Sequence, residues 1–227
     1  MNINADLTQR AFADSLTLPW IPSPLAGVDR RMLERDGGEV ARATTIVRFA
    51  PNKSFSAHSH AKGEEFLVLD GIFSDESGDF GQGMYVRNPP SSKHTPSSTG
   101  GCQIFVKLSQ MQPEDTRFVR IDTTRESSWK NARNGELMLP LYTDFGEEVH
   151  MLRWDTGAVF PEQVYDNGAE FFVVQGGFKD ECGTYGEGTW LRLPAGSRQS
   201  IQVNKETVVY RKTGHLGDVL TCGHPGE

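Results

Sequence analysis

The chain has 227 residues, 37% hydrophobic and 10% aromatic, with a formal net charge of −7. That is enough apolar material for one large or two small cores. The acidic balance, without a basic stripe, argues against nucleic acid as a direct partner, and no apolar run reaches membrane-spanning length.

MNINADLTQRAFADSLTLPW lacks the basic and apolar regions of a secretory signal. Three cysteines (Cys102, Cys182, Cys222), with no CxxC pair, fit a reducing cytoplasm. The 24 glycines and 12 prolines imply many turns and favour an all-β chain. Residues 5–15 read as one short helix. Pro19, Pro22 and Pro24 then mark an extended segment around Trp20. After Val40 the pattern turns to strand, ATTIVRF.

Residues 58–71, HSHAKGEEFLVLDG, carry the first chemistry. His58 and His60 sit two apart, so on a strand both imidazoles share a face. Glu64 follows a short Ala-Lys-Gly link and opens the β-favouring run Phe66-Leu67-Val68-Leu69, closed by Asp70-Gly71. Further on, GMYVRNPPSSKH reads as strand, turn and strand, ending at His94. A barrel that returns this strand across the first would assemble His58, His60, Glu64 and His94. Three neutral imidazoles and a carboxylate suit a divalent metal of borderline softness and leave coordination positions open.

The chain also repeats itself. Shifted by 105 residues, 63–96 lie over 168–201 with 14 identities in 34 positions, including Gly71 with Gly176, Asp75 with Asp180, Gly83 with Gly188 and Pro89 with Pro194. Arg48, Phe55 and Lys107 continue the register onto Arg153, Phe160 and Lys212. Two copies of one β-rich unit follow, residues 1–118 and 119–227, with a linker near 110–125. The four metal-ligand positions are lost together in the second copy, where Gln163, Tyr165, Ala169 and Gln199 replace them. Glu65 keeps a counterpart in Glu170, so Glu64 is read as the ligand and Glu65 as a feature of the fold on the opposite face.

Other residues read more plainly. Cys102 falls on Thr207, a position for a small side chain on a strand. Cys182 falls in a turn. Cys222 and His224, with His215 upstream, read as a flexible tail rather than a metal patch. His150, in VHMLRW, reads as a satisfied half-buried histidine. Phe55, Phe66, Tyr85 and Arg87 are expected around the first cavity, Arg87 in a structural role because Arg192 matches it. Gln163, Tyr165 and Gln199 are expected to fill the second.

These residues resemble the two motifs of the cupin superfamily. His58, His60, Glu64 and Gly71 meet the first, and Gly83, Pro89, Ser91 and His94 the second, with Ser91 where Gly is usual. The resemblance implies an all-β fold of two tandem jelly-roll barrels, a bicupin with a degenerate second barrel. GEEFLVLDGIFSDESGD, YVRNPPSSKHTPSS and GCQIFVKL are most similar to the cupin domain of ChrR-type anti-sigma factors. That likeness implies one zinc ion on His58, His60, Glu64 and His94, although iron, manganese or nickel also suits such donors. It implies a cytoplasmic regulatory or sensing protein, with a sigma factor or other regulatory protein as partner, a small-molecule signal, and room for an oligomer. The family's helical HxxxCxxC domain has no counterpart here, since no cysteine precedes Cys102. The alternative is a metal-dependent dioxygenase acting on a small organic substrate.

Overall fold

The computed structural model describes residues 1–38, 40–133 and 135–217; Cys222 and His224 lie outside them. The described residues form strands almost throughout, apart from a short 3₁₀ turn at Glu126–Ser128. None of their helices is long and apolar enough to cross a membrane. The chain forms two units, one of Met1–Ala5 with Thr17–Glu126 and one of Asp6–Leu16 with Ser127–Glu227. Each is a barrel of jelly-roll type, as the repeat predicts.

The main sheets of the two units repeat one another. In the first, the order runs Asn2–Ile3, Val28–Gly37, Ala41–Phe49, Cys102–Leu108, Glu64–Asp75, Met84–Asn88, Val119–Asp122. In the second it runs Lys130–Arg133, Glu136–Asp144, Glu147–Trp154, Thr207–Thr213, Ala169–Gln175, Thr189–Leu193, Ala11–Asp14. Strand alternation sends Phe66, Val68, Val86, Ile104 and Val106 inward onto Phe49, Phe73 and Phe80. Leu152, Trp154, Phe160, Phe171 and Phe178 do the same in the second unit. Each fully buried side chain of this kind stabilises the fold by roughly 1.5–3 kcal/mol.

Two expectations are overturned at the edges. Residues 5–15 contain a strand, Ala11–Asp14, rather than a helix, and Val119–Asp122, inside the expected linker, is another. A short segment's local propensity yields to an open sheet edge, because unpaired backbone groups there need partners. Both strands close edges in the other repeat's unit. Val119–Asp122 pairs with Met84–Asn88, and Ala11–Asp14 pairs with the equivalent Thr189–Leu193. The registers match, with Val119 opposite Arg87 and Ala11 opposite Arg192.

The glycine before each of these central strands has its physical reason here. Gly83 has φ +83°, and a Cβ on it would stand 2.5 Å from Thr124 Cγ2; Gly188, at φ +79°, would meet Leu16 Cγ at 2.8 Å. The Gly83 carbonyl accepts from Thr123 N (3.0 Å) and Thr123 Oγ1 (2.7 Å), and the Gly188 carbonyl accepts from Ser15 N (3.0 Å).

A fragment ending at residue 118 therefore lacks a strand of its own sheet. Extending it from 1–118 to 1–126 is expected to raise its melting temperature by about 5 °C or more, each kcal/mol being worth about that in a domain of this size. Thermal unfolding followed by circular dichroism checks this.

Candidate metal centre

His58–His60 pairs antiparallel with Ser92–His94, placing His94 opposite His58 and Ser92 opposite His60. The three imidazoles stand on one face with ring centroids 4.8, 5.0 and 5.2 Å apart. One ring nitrogen from each lies within 4.8 Å of the other two. Glu64, 6% exposed, begins the next strand. Its carboxylate lies 3.7 Å from His60 Nε2 and 3.5 Å from His94 Nε2.

The tight turns that aim these side chains share one acceptor. The His60 carbonyl takes the amides of Gly63 (3.1 Å) and Ser91 (2.8 Å). Ser91 pays for this with a left-handed φ of +66°, a conformation costing roughly 1–2 kcal/mol in a residue with a Cβ. Its repeat partner, Gly196, adopts φ +79° without that strain.

Hydrogen bonds behind the histidines orient their free nitrogens. His94 Nδ1 stands 3.2 Å from Asp75 Oδ2, whose side chain is buried, and His58 Nδ1 stands 2.9 Å from the Ser56 carbonyl. Protons placed on both Nδ1 atoms leave both Nε2 lone pairs facing the cluster. Glu64 Oε2 accepts from Asn88 Nδ2 (3.2 Å), and Asn88 Oδ1 accepts from Arg120 Nη2 (2.6 Å). Arg120 lies on the edge strand Val119–Asp122, so the strand supplied from between the repeats reaches the cluster. Sequence reasoning missed Asn88 and Arg120; Asp75 had left a trace as an identity between the repeats.

The residues fit a divalent cation. Burial, helped by His58, lowers the His60 pKa to about 4, so the ring is neutral and available as a ligand. Burial raises the pKa of Glu64, a cost that a nearby cation offsets. The Nε2 atoms of His60 and His94 are 3.0 Å apart. Two imidazole nitrogens each about 2.1 Å from one ion, at right angles, stand about that far apart.

Glu65 faces the other way, as alternation predicts. Its Oε2 accepts from Tyr85 Oη (2.7 Å) and Arg87 Nη1 (2.9 Å), while Arg87 also binds Asp115 at 2.8 Å, all in buried positions. Tyr85 and Arg87 therefore do not line the cavity, because their strand positions lie on Glu65's face. Phe55 does border the histidines, 5.7 Å from the His58 ring, whereas Phe66 belongs to the core. Cys102 is a free buried thiol whose pKa burial raises, which makes it a poor nucleophile.

In the second unit the same frame carries other side chains. The Tyr165 carbonyl takes the amides of Gly168 and Gly196, and Asp180 accepts from Gln199 Nε2 at 2.8 Å where Asp75 meets His94. Tyr165 packs in the core of this unit and Gln199 is buried, as expected for residues that fill it, whereas Gln163 is half-buried; Gln163 and Tyr165 also border a cavity of about 310 Å³. His150 is in its strand and buried, but its Nδ1 has no hydrogen bond, and burial beside Arg211 lowers its pKa.

The model of the ChrR cupin-like domain matches the chain twice, over residues 8–112 and 118–217. The fold is similar to that of a candidate dioxygenase from Nostoc punctiforme, with 14% identity, TM-score 0.75, and coverage of 97% of this chain and 88% of that one. It is also similar to Ylba from E. coli, with 17% identity, TM-score 0.69 and 93% of each chain covered. Pirin YhhW from Escherichia coli, in complex with nickel(II), follows at 12% identity and TM-score 0.65, covering 90% of this chain and 98% of that one. At these identities the likenesses concern the fold alone. No curated protein matches the chain.

Two mutational outcomes follow. His58→Ala and His94→Ala are expected to remove most bound metal, Asp75→Asn and Arg120→Ala to weaken metal affinity about 10–100-fold, and Gln163→Ala and Gln199→Ala to leave it unchanged, each read by elemental analysis and competition with a chelating dye. Glu65→Ala is expected to keep the metal yet cost about 1–3 kcal/mol of stability, because it takes a buried acceptor from Arg87 and Tyr85 while Asp115 still pairs Arg87; denaturant unfolding measures that.

Proposed function

The chain belongs to the ChrR cupin-like domain family, and from that premise we propose that it is a metal-dependent sensing protein of the regulatory type. One divalent cation, zinc, is held by His58, His60, Glu64 and His94, and the remaining coordination positions are open to a small oxygen-bearing signal. One observation carries this reading: three imidazoles and a carboxylate converge in the first barrel, while the second keeps the same frame without any of the four. Zinc in such a site supplies Lewis acidity and ligand exchange but no electrons.

The chain's own residues set the rest. Asp75 and Ser56 orient two imidazoles, and Asn88 with Arg120 holds the Glu64 carboxylate. A signal that displaces Glu64 would be felt at Arg120, and through it along Val119–Asp122. That edge is the route by which the barrel would address a sigma factor or another regulatory protein. The free thiols of Cys102 and Cys182 agree with a cytoplasmic setting.

A second reading is a metal-dependent dioxygenase. The fold likeness to the Nostoc punctiforme candidate dioxygenase favours it, and imidazole with carboxylate suits iron(II) as well as zinc.

Elemental analysis of protein purified without chelator separates the two. The expected result is stoichiometric zinc and no oxygen consumption. Stoichiometric iron, with oxygen uptake on a diketone or similar small organic substrate, overturns the sensing reading.

A further inference from the structure

The second barrel has exchanged its metal ligands for a different charge. Residue 211, in the strand Thr207–Thr213, is an arginine where the equivalent position of the first barrel is Val106, a core residue. Arg211 is on the same strand face as Val209, which is in the core. Arg211 lines the cavity of about 310 Å³ together with Gln163 and Tyr165, which stand where His58 and His60 stand in the first barrel. Arg211 is half-buried, with its Nε enclosed while the side chain borders a cavity open to solvent.

Within it, Arg211 Nε is buried without a hydrogen bond. Glu148 and Asp166 line the same cavity but sit at exposed positions. His150, opposite Arg211 in the ladder, is 6% exposed and its Nδ1 is also unpaired. Gln163 Oε1 is engaged by Tyr165 Oη (3.2 Å) and Arg133 Nη2 (3.4 Å), which directs its amide nitrogen elsewhere. The frame without the four candidate ligands keeps a polar cavity bordered by a half-buried arginine.

We propose that the second barrel binds a small organic monocarboxylate bearing a hydroxyl or amino group, without metal. The carboxylate pairs with Arg211 through the forked geometry that favours such anions. Gln163 and Tyr165 hydrogen-bond the substituent. Glu148 and Asp166 at the rim oppose a second negative charge, so dicarboxylates are selected against. The cavity is at the small end of the range for ligand sites and opens to solvent, which suits a small, polar occupant. This site is independent of the metal reading of the first barrel.

The test is isothermal titration of the full-length protein with lactate, glycolate, glycine, alanine and succinate. At least one of the four monocarboxylates is expected to bind saturably at millimolar concentration or below, and succinate at least tenfold more weakly. Arg211→Met is expected to weaken binding at least tenfold and Tyr165→Phe several-fold, while His94→Ala leaves it unchanged. The absence of saturable binding by all four overturns the proposal, as does binding that survives Arg211→Met or vanishes with His94→Ala. If Arg211→Met fails to fold, Tyr165→Phe and Gln163→Leu decide it, since unchanged affinity in both overturns the assignment.

Discussion

A single carbonyl holds the first motif to the second. The His60 oxygen accepts from Gly63 and Ser91, so the turn after HSH and the turn before His94 cannot separate without losing both bonds. Because His58–His60 and Ser92–His94 are only three residues each, the ladder between them adds little strength of its own. The imidazoles converge because this clasp sets the register of a very short strand pair. The second barrel keeps the clasp at Tyr165 without the three histidines and Glu64, so the clasp belongs to the frame and the histidine cluster is an addition to it.

Adjacent positions on one strand serve opposite ends. Glu64 turns inward to the imidazoles of His60 and His94, and burial there raises its pKa, a cost that a cation offsets. Glu65 turns outward to Arg87 and Tyr85, where its charge is already matched. A shift of one residue in the register would exchange the two carboxylates and destroy both arrangements. The buried pair around Arg87 thus works against slippage of the strand that presents Glu64.

The crossing of edge strands ties the frame to the site. Val119–Asp122 completes the first sheet and delivers Arg120 to Asn88, which holds Glu64. The motif glycines Gly83 and Gly188 adopt their left-handed turns where these strands pass, and the contact leaves no room for a side chain. One structural device therefore accounts for a conserved feature of the repeat and for an organising contact of the cluster.

Much of this was legible in the chain itself. The period-two placement of His58 and His60, the 105-residue repeat and the joint loss of four positions in the second copy were enough to imply two β-barrels and one cluster of histidines, because strand periodicity and repetition are local patterns. The strands Ala11–Asp14 and Val119–Asp122 were not legible: four residues carry too weak a propensity, and their strand state comes from open sheet edges far away in sequence. For the same reason Tyr85 and Arg87 were misplaced, since which face a side chain takes depends on register. The roles of Asn88, Arg120 and Arg211 were decided only by tertiary structure, because each depends on which strands lie side by side, and hydrogen bonds and buried polar groups exist only once that neighbourhood is formed.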